Sequence, residues 1–451
     1  MSTFQSRARE YHNADTMAAA YLREYFPDAK IKYPINPFQM LKDEGIIFSF
    51  RPFGKLEGVY IPADSQDDSP LVGINLKRPI TRQRFTAVHE LCHHFRDANN
   101  ETICPIGAQS ASERFANDFA AAVLMPIGEL SRQVSSRKVN GYVSFESVLD
   151  ISDYFGVSFE ACLFRIAYRL HAISGATDPG SLKRRITKFG PDKKRQEKGL
   201  SSRILYEALI DSFSQNLTFV PRAFAKSVFQ SNYIYNDSRM EGVEVSIEAA
   251  SEIVMDLYQK RQTSQYCQEQ NEAFMSVAGH YQMYERVFEE AAKDRCSVFD
   301  TFGLNKDLFS CFPAPEYGGQ VRKADPIVVG ARFETISPDQ IYPELIKMDA
   351  EIKQHFSDIA RMPLSEYIEK VFEFHHRLTV IHPFADGNGR TLRAFMNVQL
   401  VRNNICPLYL KVEEKDAYYH ALEIADLTGN YDDLYEVLFK ALLRSCSELC
   451  E

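Results

Sequence analysis

His382-Pro383-Phe384-Ala385-Asp386-Gly387-Asn388-Gly389-Arg390-Thr391-Leu392-Arg393 packs a base, a carboxylate, two glycines, an amide and two guanidiniums into twelve residues. Before it, Tyr367, Ile368, Val371, Phe372, His375, Leu378 and Ile381 recur at helical spacing. Leu392, Phe395, Met396 and Leu400 do the same after it. Asp-Gly-Asn-Gly cannot continue a helix cheaply, so the stretch predicts helix, glycine-rich loop, helix.

Each residue type suits a nucleotide ligand. A loop at a helix N-terminus points free N–H groups outward, and the helix dipole favours an anion there. Gly387 and Gly389 let the backbone approach phosphate oxygens with no Cβ in the way. Asp386 is a hard oxygen ligand suited to holding Mg²⁺ between phosphates. Arg390 and Arg393, three apart on the second helix, share a face and can fork onto phosphates. His382, with an ordinary pKa of about 6.5, is placed to take a proton from an attacking hydroxyl.

The string resembles, position for position, the Fic-family motif His-x-Phe-x-Asp/Glu-Gly-Asn-Gly-Arg-x-x-Arg. That resemblance implies AMP transfer from Mg·ATP to a Ser, Thr or Tyr hydroxyl of a target protein. It implies His382 as general base, Asp386 as the Mg²⁺ ligand and Asn388 as a contact to the α-phosphate. Gly387 to Gly389 become an anion hole, Arg390 and Arg393 hold the β- and γ-phosphates, and Phe384 joins the nucleotide-binding set. A kinase-like branch of the family carries bulkier residues in place of the two glycines. This chain keeps both, which favours nucleotidyl transfer. The plain alternative is a polar helix–helix turn.

At 451 residues the chain has room for two or three domains. Its 45% hydrophobic and 25% charged residues are ordinary for a soluble globular protein. A net charge of −9 argues against general nucleic-acid binding. Nine cysteines are scattered without metal-type pairing, and their odd number does not suggest a disulfide framework, so a reducing cytoplasm fits best. The N-terminus lacks an apolar signal-like core, and no apolar run is long enough to span a bilayer. The expected location is cytoplasmic.

Residues 15–45 read as helices, with Met17, Ala20, Tyr21 and Tyr25 on one apolar face. Short strands are expected at 46–50, 58–61 and 71–74. Then His89-Glu90-Leu91-Cys92-His93 places two imidazoles four apart on a helix, able to reach one cation. Glu90 lies beside the water that cation would bind. Two solvated histidines on a helix would give the same spacing by chance. A second helix starting near Ser112 and ending before Pro126 offers Glu113 as a third ligand. Together the two segments resemble the ImmA/IrrE family of metallopeptidases, which pairs His-Glu-x-x-His with Glu-x-x-Ala-Asn-x-Phe-Ala…Leu-Met-Pro. The resemblance covers roughly residues 15–170 and implies Zn²⁺ on His89, His93 and Glu113, with Glu90 as catalytic base. Cys92 stands where that family usually has a small residue, either as an extra ligand or oxidation site or as a small buried residue. His94 lies off the ligand face and reads as structural or surface.

Residues 176–200 carry Pro, Gly and a run of Lys and Arg, which marks a basic linker rather than a nucleic-acid tail, since no aromatic stacking pattern accompanies the charges. Beyond Ser201 the pattern is helical. A helix over about 222–242 ends in Asp237-Ser238-Arg239-Met240-Glu241-Gly242. Gly242 reads as a helix C-cap, and Ser238-x-x-Glu241 mimics a capping box. Autoinhibited Fic enzymes carry Ser/Thr-x-x-x-Glu-Gly/Asn on a helix ahead of the core. Glu241-Gly242 fits that pattern, with Asp237 in the Ser/Thr position. Gly318-Gly319-Gln320-Val321-Arg322 and residues 327–333 resemble the family's β-hairpin flap, which positions the target segment.

The expected fold is α+β: a small zincin-like α+β domain over 1–175, the basic linker over 176–200, and a mostly α-helical Fic domain over 201–451. That domain would hold the inhibitory helix at about 222–242 and the core at about 275–415. The leading function is ATP- and Mg²⁺-dependent AMP transfer to a protein hydroxyl, autoinhibited by Glu241, with a linked zinc metallopeptidase activity. The alternative makes a zinc endopeptidase the effector and the Fic domain its nucleotide-dependent regulator. A third reading is an adaptor that only binds ligands. Expected partners are a hydroxyl-bearing protein substrate and a protein substrate of the peptidase-like domain, with no membrane and no nucleic acid.

Overall fold

Asn13 opens α1 (Ala14–Tyr25) by accepting the Thr16 amide. Asn36 caps α2 (Pro37–Asp43), where Pro37 fills a first-turn position that needs no N–H. The computed structural model describes residues 4–27, 30–65, 68–97, 102–105, 107, 110–175, 178–217, 223–259, 271–325 and 335–449. The chain divides into two compact units, Met1–Ser212 and Phe213–Glu451.

In the first unit, β1 (Ile47–Arg51), β2 (Leu56–Ile61), β3 (Leu71–Asn75) and β4 (Thr102–Pro105) form one sheet in the order β1-β3-β2-β4. The β1–β3 pair is parallel and the other two are antiparallel, which leaves β4 on an edge. The first three strands fall within two residues of the sequence expectation. β4 has no alternating pattern long enough to announce it. α3 (Ile80–Arg96) and α4 (Ala111–Leu124) pack against each other and close the core with α1, where Tyr21, Phe95 and Phe119 meet edge to face or tilted. Ser110 caps α4 by accepting the Glu113 amide at 3.1 Å, so the helix begins at Ala111, one residue from the expected start near Ser112. Arg84 is fully buried; its Nε donates to the Gly156 carbonyl (3.0 Å) and its Nη2 to those of Ile35 (2.7 Å) and Phe155 (3.4 Å), while Nη1 has no partner among the described residues. Burial pushes its guanidinium down to about 9.

α5 (Ile127–Ser135), α6 (Phe145–Phe155) and α7 (Phe159–Arg169) follow. The stretch expected as a basic linker is instead largely helical, as α8 (Pro179–Phe189) and α9 (Pro191–Glu197). The reason is packing. Phe189 joins Phe145 and Phe159, Leu182 is buried, and Arg195 and Lys198 pair with Asp153 and Asp150 of α6. The division between units falls at the end of α10 (Arg203–Phe213).

The second unit is helical among its described residues: α11 (Ala223–Met240), α12 (Ile247–Tyr258), α13 (Glu272–Ala291), α14 (Asp300–Leu308), α15 (Pro338–Asp358), α16 (Leu364–Ile381) and α17 (Asn388–Arg402), closed by α18 (Lys415–Thr428) and α19 (Asp432–Leu449). α13, α14, α16 and α17 share a core built on Met283, Leu304, Leu308, Phe374, Leu378 and Phe395. A Cβ on Gly279 would lie 2.0 Å from the Leu308 carbonyl oxygen, so glycine there sets how closely α13 and α14 pack. Val321 forms an antiparallel bridge with Phe384. The rest of the expected flap, residues 327–333, lies outside the described residues. Among the described residues no helix is long and apolar enough to cross a membrane.

Candidate active site and metal centre

The glycine-rich loop of the second unit connects α16 to α17, as the spacing predicts. His382 ends α16 in the left-handed region (φ +50°), and Gly387 opens α17 at φ +73°, where a side chain would be strained. Asn388 clamps the turn from within. Its amide donates to the Phe384 carbonyl at 2.8 Å, and its side-chain oxygen accepts the Phe384 N–H at 2.9 Å. Asn305, which carries no sequence signal, and Arg322, from the stretch that resembles the flap, hold the loop from outside. Asn305 donates to the Asp386 carbonyl and the Thr391 hydroxyl, both at 3.1 Å. Buried Arg322 donates to the His382 carbonyl at 2.7 Å, and its own N–H bonds the Pro383 carbonyl at 2.9 Å. Carbonyls at the end of a helix favour such a cation.

His382 is half-buried, and burial pushes its imidazole below the ordinary histidine value, with Arg322 adding to the effect and Glu241 opposing it. Asp386 stands at the exposed rim and accepts the Gly387 N–H at 2.5 Å. Arg390 is buried and donates to Ser276 Oγ of α13 at 2.6 Å. Arg393 is also buried, with Asp237 on its Nε and Glu241 Oε1 2.6 Å from its Nη2.

Glu241 follows directly on α11, and Gly242 turns the chain at φ +83°. The helix-end reading and the Arg393 contact are therefore both present. A Cβ on Gly389 would lie 2.2 Å from Glu241 Oε1, so the carboxylate rests on the backbone at the N-terminus of α17. Asp237 does more than stand in for a hydroxyl. It is buried between Arg393 and His280, whose Nε2 lies 3.2 Å from Asp237 Oδ2, and Ser238 Oγ meets the other His280 nitrogen at 3.0 Å. Burial works against its charged form, but Arg393 and His280 outweigh it and hold the carboxyl below the usual range.

In the first unit the His-Glu-x-x-His helix and α4 converge as expected. His89 Nε2 and His93 Nε2 lie 3.2 Å apart, and the Glu113 oxygens lie 3.2 Å from His89 and 3.4 Å from His93. A fourth donor completes the group. Cys104, on edge strand β4, places Sγ 3.2 Å from His89 Nε2 and 3.6 Å from Glu113 Oε1. Sequence spacing held no sign of it, because pairing of β4 with β2 across Gly58 brings it in. The outer nitrogens of both imidazoles are engaged: His89 Nδ1 with Asn117 Oδ1 at 3.1 Å, and His93 Nδ1 with Asp97 Oδ2 at 2.7 Å. Such contacts fix ring orientation and turn the inner nitrogens toward a metal. Asp97 lies four residues beyond His93 on the same helix face, a signal that was available.

Burial lowers His89, with Glu113 opposing. For His93 burial also acts downward, but Asp97 and Glu113 win and hold it up at about 9. A bound dication would displace that proton. Glu90 is fully buried, both its oxygens lack a partner, and burial pushes its carboxyl up to about 8. Gly58 makes room for it, since a Cβ there would lie 2.4 Å from Glu90 Oε1. A cavity of about 510 Å³ opens onto His89, Glu90, Cys104 and Glu113. Cys92 is buried outside the donor cluster, and burial raises its thiol far above the ordinary value. His94 is a buried structural residue meeting the Tyr60 hydroxyl at 3.2 Å.

The model of the IrrE N-terminal-like domain matches residues 41–167, and that of the Fic/DOC family matches residues 298–400. Protein adenylyltransferase fic-1 of Caenorhabditis elegans is 33% identical over 134 residues, 30% of this chain and 25% of that protein. Protein adenylyltransferase Fic of Drosophila melanogaster is 44% identical over 52 residues, 12% of this chain and 11% of that one. The chain thus spans a quarter or less of the length of these curated relatives. Among solved structures, a Fic domain containing signaling protein from Bacteroides thetaiotaomicron aligns with a TM-score of 0.44 at 19% identity, covering 53% of this chain and 95% of that one. Fic-1 from C. elegans aligns with a TM-score of 0.44 at 16% identity, covering 72% and 91%.

Proposed function

We propose that the chain, which matches the IrrE N-terminal-like model over residues 41–167 and the Fic/DOC family model over residues 298–400, transfers AMP from ATP to a Ser, Thr or Tyr hydroxyl of a protein, held in check by Glu241. One observation carries the reading: Glu241 lays a carboxylate on Arg393 and on the Gly389 backbone, at a helix N-terminus built to collect an anion. A polar helix–helix turn has no need of a buried arginine that borrows an acid from a distant helix.

In this reading Gly387, Asn388 and Gly389 present backbone N–H groups to phosphate oxygens. The Asn388 side chain shapes the loop through Phe384. Arg393 takes the terminal phosphate once Glu241 withdraws, and Arg390 lies one turn away on the same helix. Phe384 is buried against Phe302 at 5.4 Å and fixes the loop from below. Asp386 at the rim suits a Mg²⁺, which would supply charge neutralisation between phosphates. His382, kept neutral by burial and fixed through its carbonyl by Arg322, accepts the hydroxyl proton. The target oxygen then bonds the α-phosphorus, the bridging oxygen to the β-phosphate leaves with both electrons, and pyrophosphate departs.

The test is incubation of the chain with α-labelled ATP and cell lysate. Label should appear on protein with the Glu241→Gly variant and vanish when His382→Ala is added. Equal labelling with and without His382 would overturn the reading.

The same reasoning gives the N-terminal unit a zinc metallopeptidase-like role, with His89, His93 and Glu113 as ligands and Glu90 as base. The donors fit the group, because tetrahedral bonds of about 2.0–2.3 Å leave donor–donor edges of roughly 3.3–3.7 Å, close to the 3.2–3.6 Å spacings found. Zinc there would polarise a carbonyl and acidify water. Metal analysis of chain purified without chelator should find about one zinc per chain.

A further inference from the structure

We propose that Cys104 is a fourth protein ligand of this centre, so that the metal is bound by His89, His93, Glu113 and Cys104 and the position for hydrolytic water is closed. The inference rests on the metal-centre reading above and goes beyond it, since that reading leaves the fourth position to water.

The geometry selects Cys104 from the thiols nearby. Residues 1–212 contain three cysteines, Cys92, Cys104 and Cys162. All are buried, but only Cys104 lies in the donor cluster, where the four ligand atoms fall within 4.8 Å of one another. Its sulfur makes cluster edges of 3.2 Å to His89 and 3.6 Å to Glu113. A zinc–sulfur bond of about 2.3 Å beside nitrogen or oxygen bonds of about 2.0 Å gives tetrahedral edges of that order. A second observation points to a ligand here. Glu90 is wholly buried, lines the same cavity, and has no hydrogen-bond partner for either oxygen.

Charge agrees with the geometry. Two neutral imidazoles, one carboxylate and one thiolate bring two negative charges to a dication, so a buried centre ends up neutral, whereas His₂Glu alone leaves it cationic. Coordination is balanced by loss of the Sγ proton to solvent as the sulfur–metal bond forms and a metal-bound water departs. Centres with four protein ligands are closed, and those that hydrolyse keep a position open. β4 is an edge strand, so the residue that closes the site sits on an element with a strand neighbour on one side only among the described residues. The unit is therefore latent, and hydrolysis requires Cys104 to leave the metal.

The experiment uses the full chain, stripped with chelator and reloaded with Co²⁺, read by absorption. The expected result is about one Co²⁺ per chain with a near-ultraviolet thiolate-to-cobalt charge-transfer band. The band is lost in Cys104→Ser and kept in the double variant Cys92→Ala/Cys162→Ala, which leaves Cys104 the sole thiol of residues 1–212. Cys104→Ser should also release zinc to a competing chelator at about tenfold lower chelator strength or less. Bound cobalt without the band, or a band that disappears in the double variant, overturns the inference while leaving the three-ligand centre standing. If the wild-type chain binds no metal at all, the centre itself fails and the inference with it. Where Cys104→Ser does not fold, Cys104→Ala read beside the double variant decides the matter, because the full chain keeps six further cysteines beyond residue 212.

Discussion

Arg393 Nη2 and Glu241 Oε1 lie 2.6 Å apart, and the neighbouring Nε of the same guanidinium donates to Asp237. The two carboxylates do different things. Asp237 is 2% exposed and paired with Arg393, with His280 Nε2 3.2 Å from its other oxygen, so it compensates the buried cation from within the fold. The Glu241 side chain is 24% exposed and ends a helix, so it can leave without stranding a charge. That asymmetry is what a removable block needs.

Glu241→Gly should raise label transfer from α-labelled ATP, self-labelling included, by at least about tenfold, equivalent to about 1.4 kcal/mol of barrier. Adding Arg393→Ala should abolish the gain, because the freed arginine is what orients the phosphate. An unchanged rate in Glu241→Gly, with His382→Ala still inactive, would reduce Glu241 to a helix-end residue.

Stability should separate the same pair in the opposite order. Asp237→Ala leaves Arg393 and His280 buried without their common partner and should cost roughly 3 kcal/mol in urea unfolding. Glu241→Gly removes an ion pair that solvent reaches and should cost no more than about 1 kcal/mol. Equal losses would show that the two acids are structurally equivalent.

The pH dependence of transfer follows from His382. On the proposed reading its neutral form is the base, and burial lowers its pKa, so that form persists to pH values below the ordinary 6.5. In the Glu241→Gly background the acid limb of kcat/KM should therefore lie below that of an exposed histidine. Loss of Glu241, which opposes the shift, moves it further the same way. An acid limb above 6.5 would mean that another group takes the proton.

Much of this was legible in the chain. Helix–loop–helix around Asp386, the converging histidines and the Glu241 helix follow from local spacing, because each is set by residues a few positions apart. What was not legible depends on long-range pairing. Cys104 reaches His89 through the β2–β4 ladder, and Arg322 and Asn305 reach the loop from 60 and 81 residues away. The basic stretch around Arg195 read as linker because its partners, Asp150 and Asp153, lie on another helix. Charge runs alone do not say whether an opposite charge waits in the fold.

Zinc affinity should depend on the contacts behind the ligands. Asp97→Asn weakens the hold on His93 and should lower zinc affinity roughly 10–100-fold, measured by chelator competition. Glu113→Gln should weaken it at least as much, since it removes a ligand charge. Retained affinity in Asp97→Asn would mean that the 2.7 Å contact is incidental.

Glu90 gives the most direct reading of buried charge in the metal-free chain. Its carboxyl is raised from 4.5 to about 8 by burial, so between those values the folded state keeps a proton that the unfolded state has lost. A raised acid contributes stability that is complete below the unfolded value and disappears as pH climbs through the folded one. Metal-free wild type should accordingly lose stability steadily from pH 4.5 to about 8, in part through Glu90. Glu90→Gln, neutral at every pH and nearly the same shape, should flatten that slope and unfold at higher urea than wild type near pH 8. It should also still bind zinc, because Glu90 is not among the donors. Identical pH slopes in the two metal-free proteins would mean that Glu90 is ionised in the fold, with water or a cation reaching both of its oxygens.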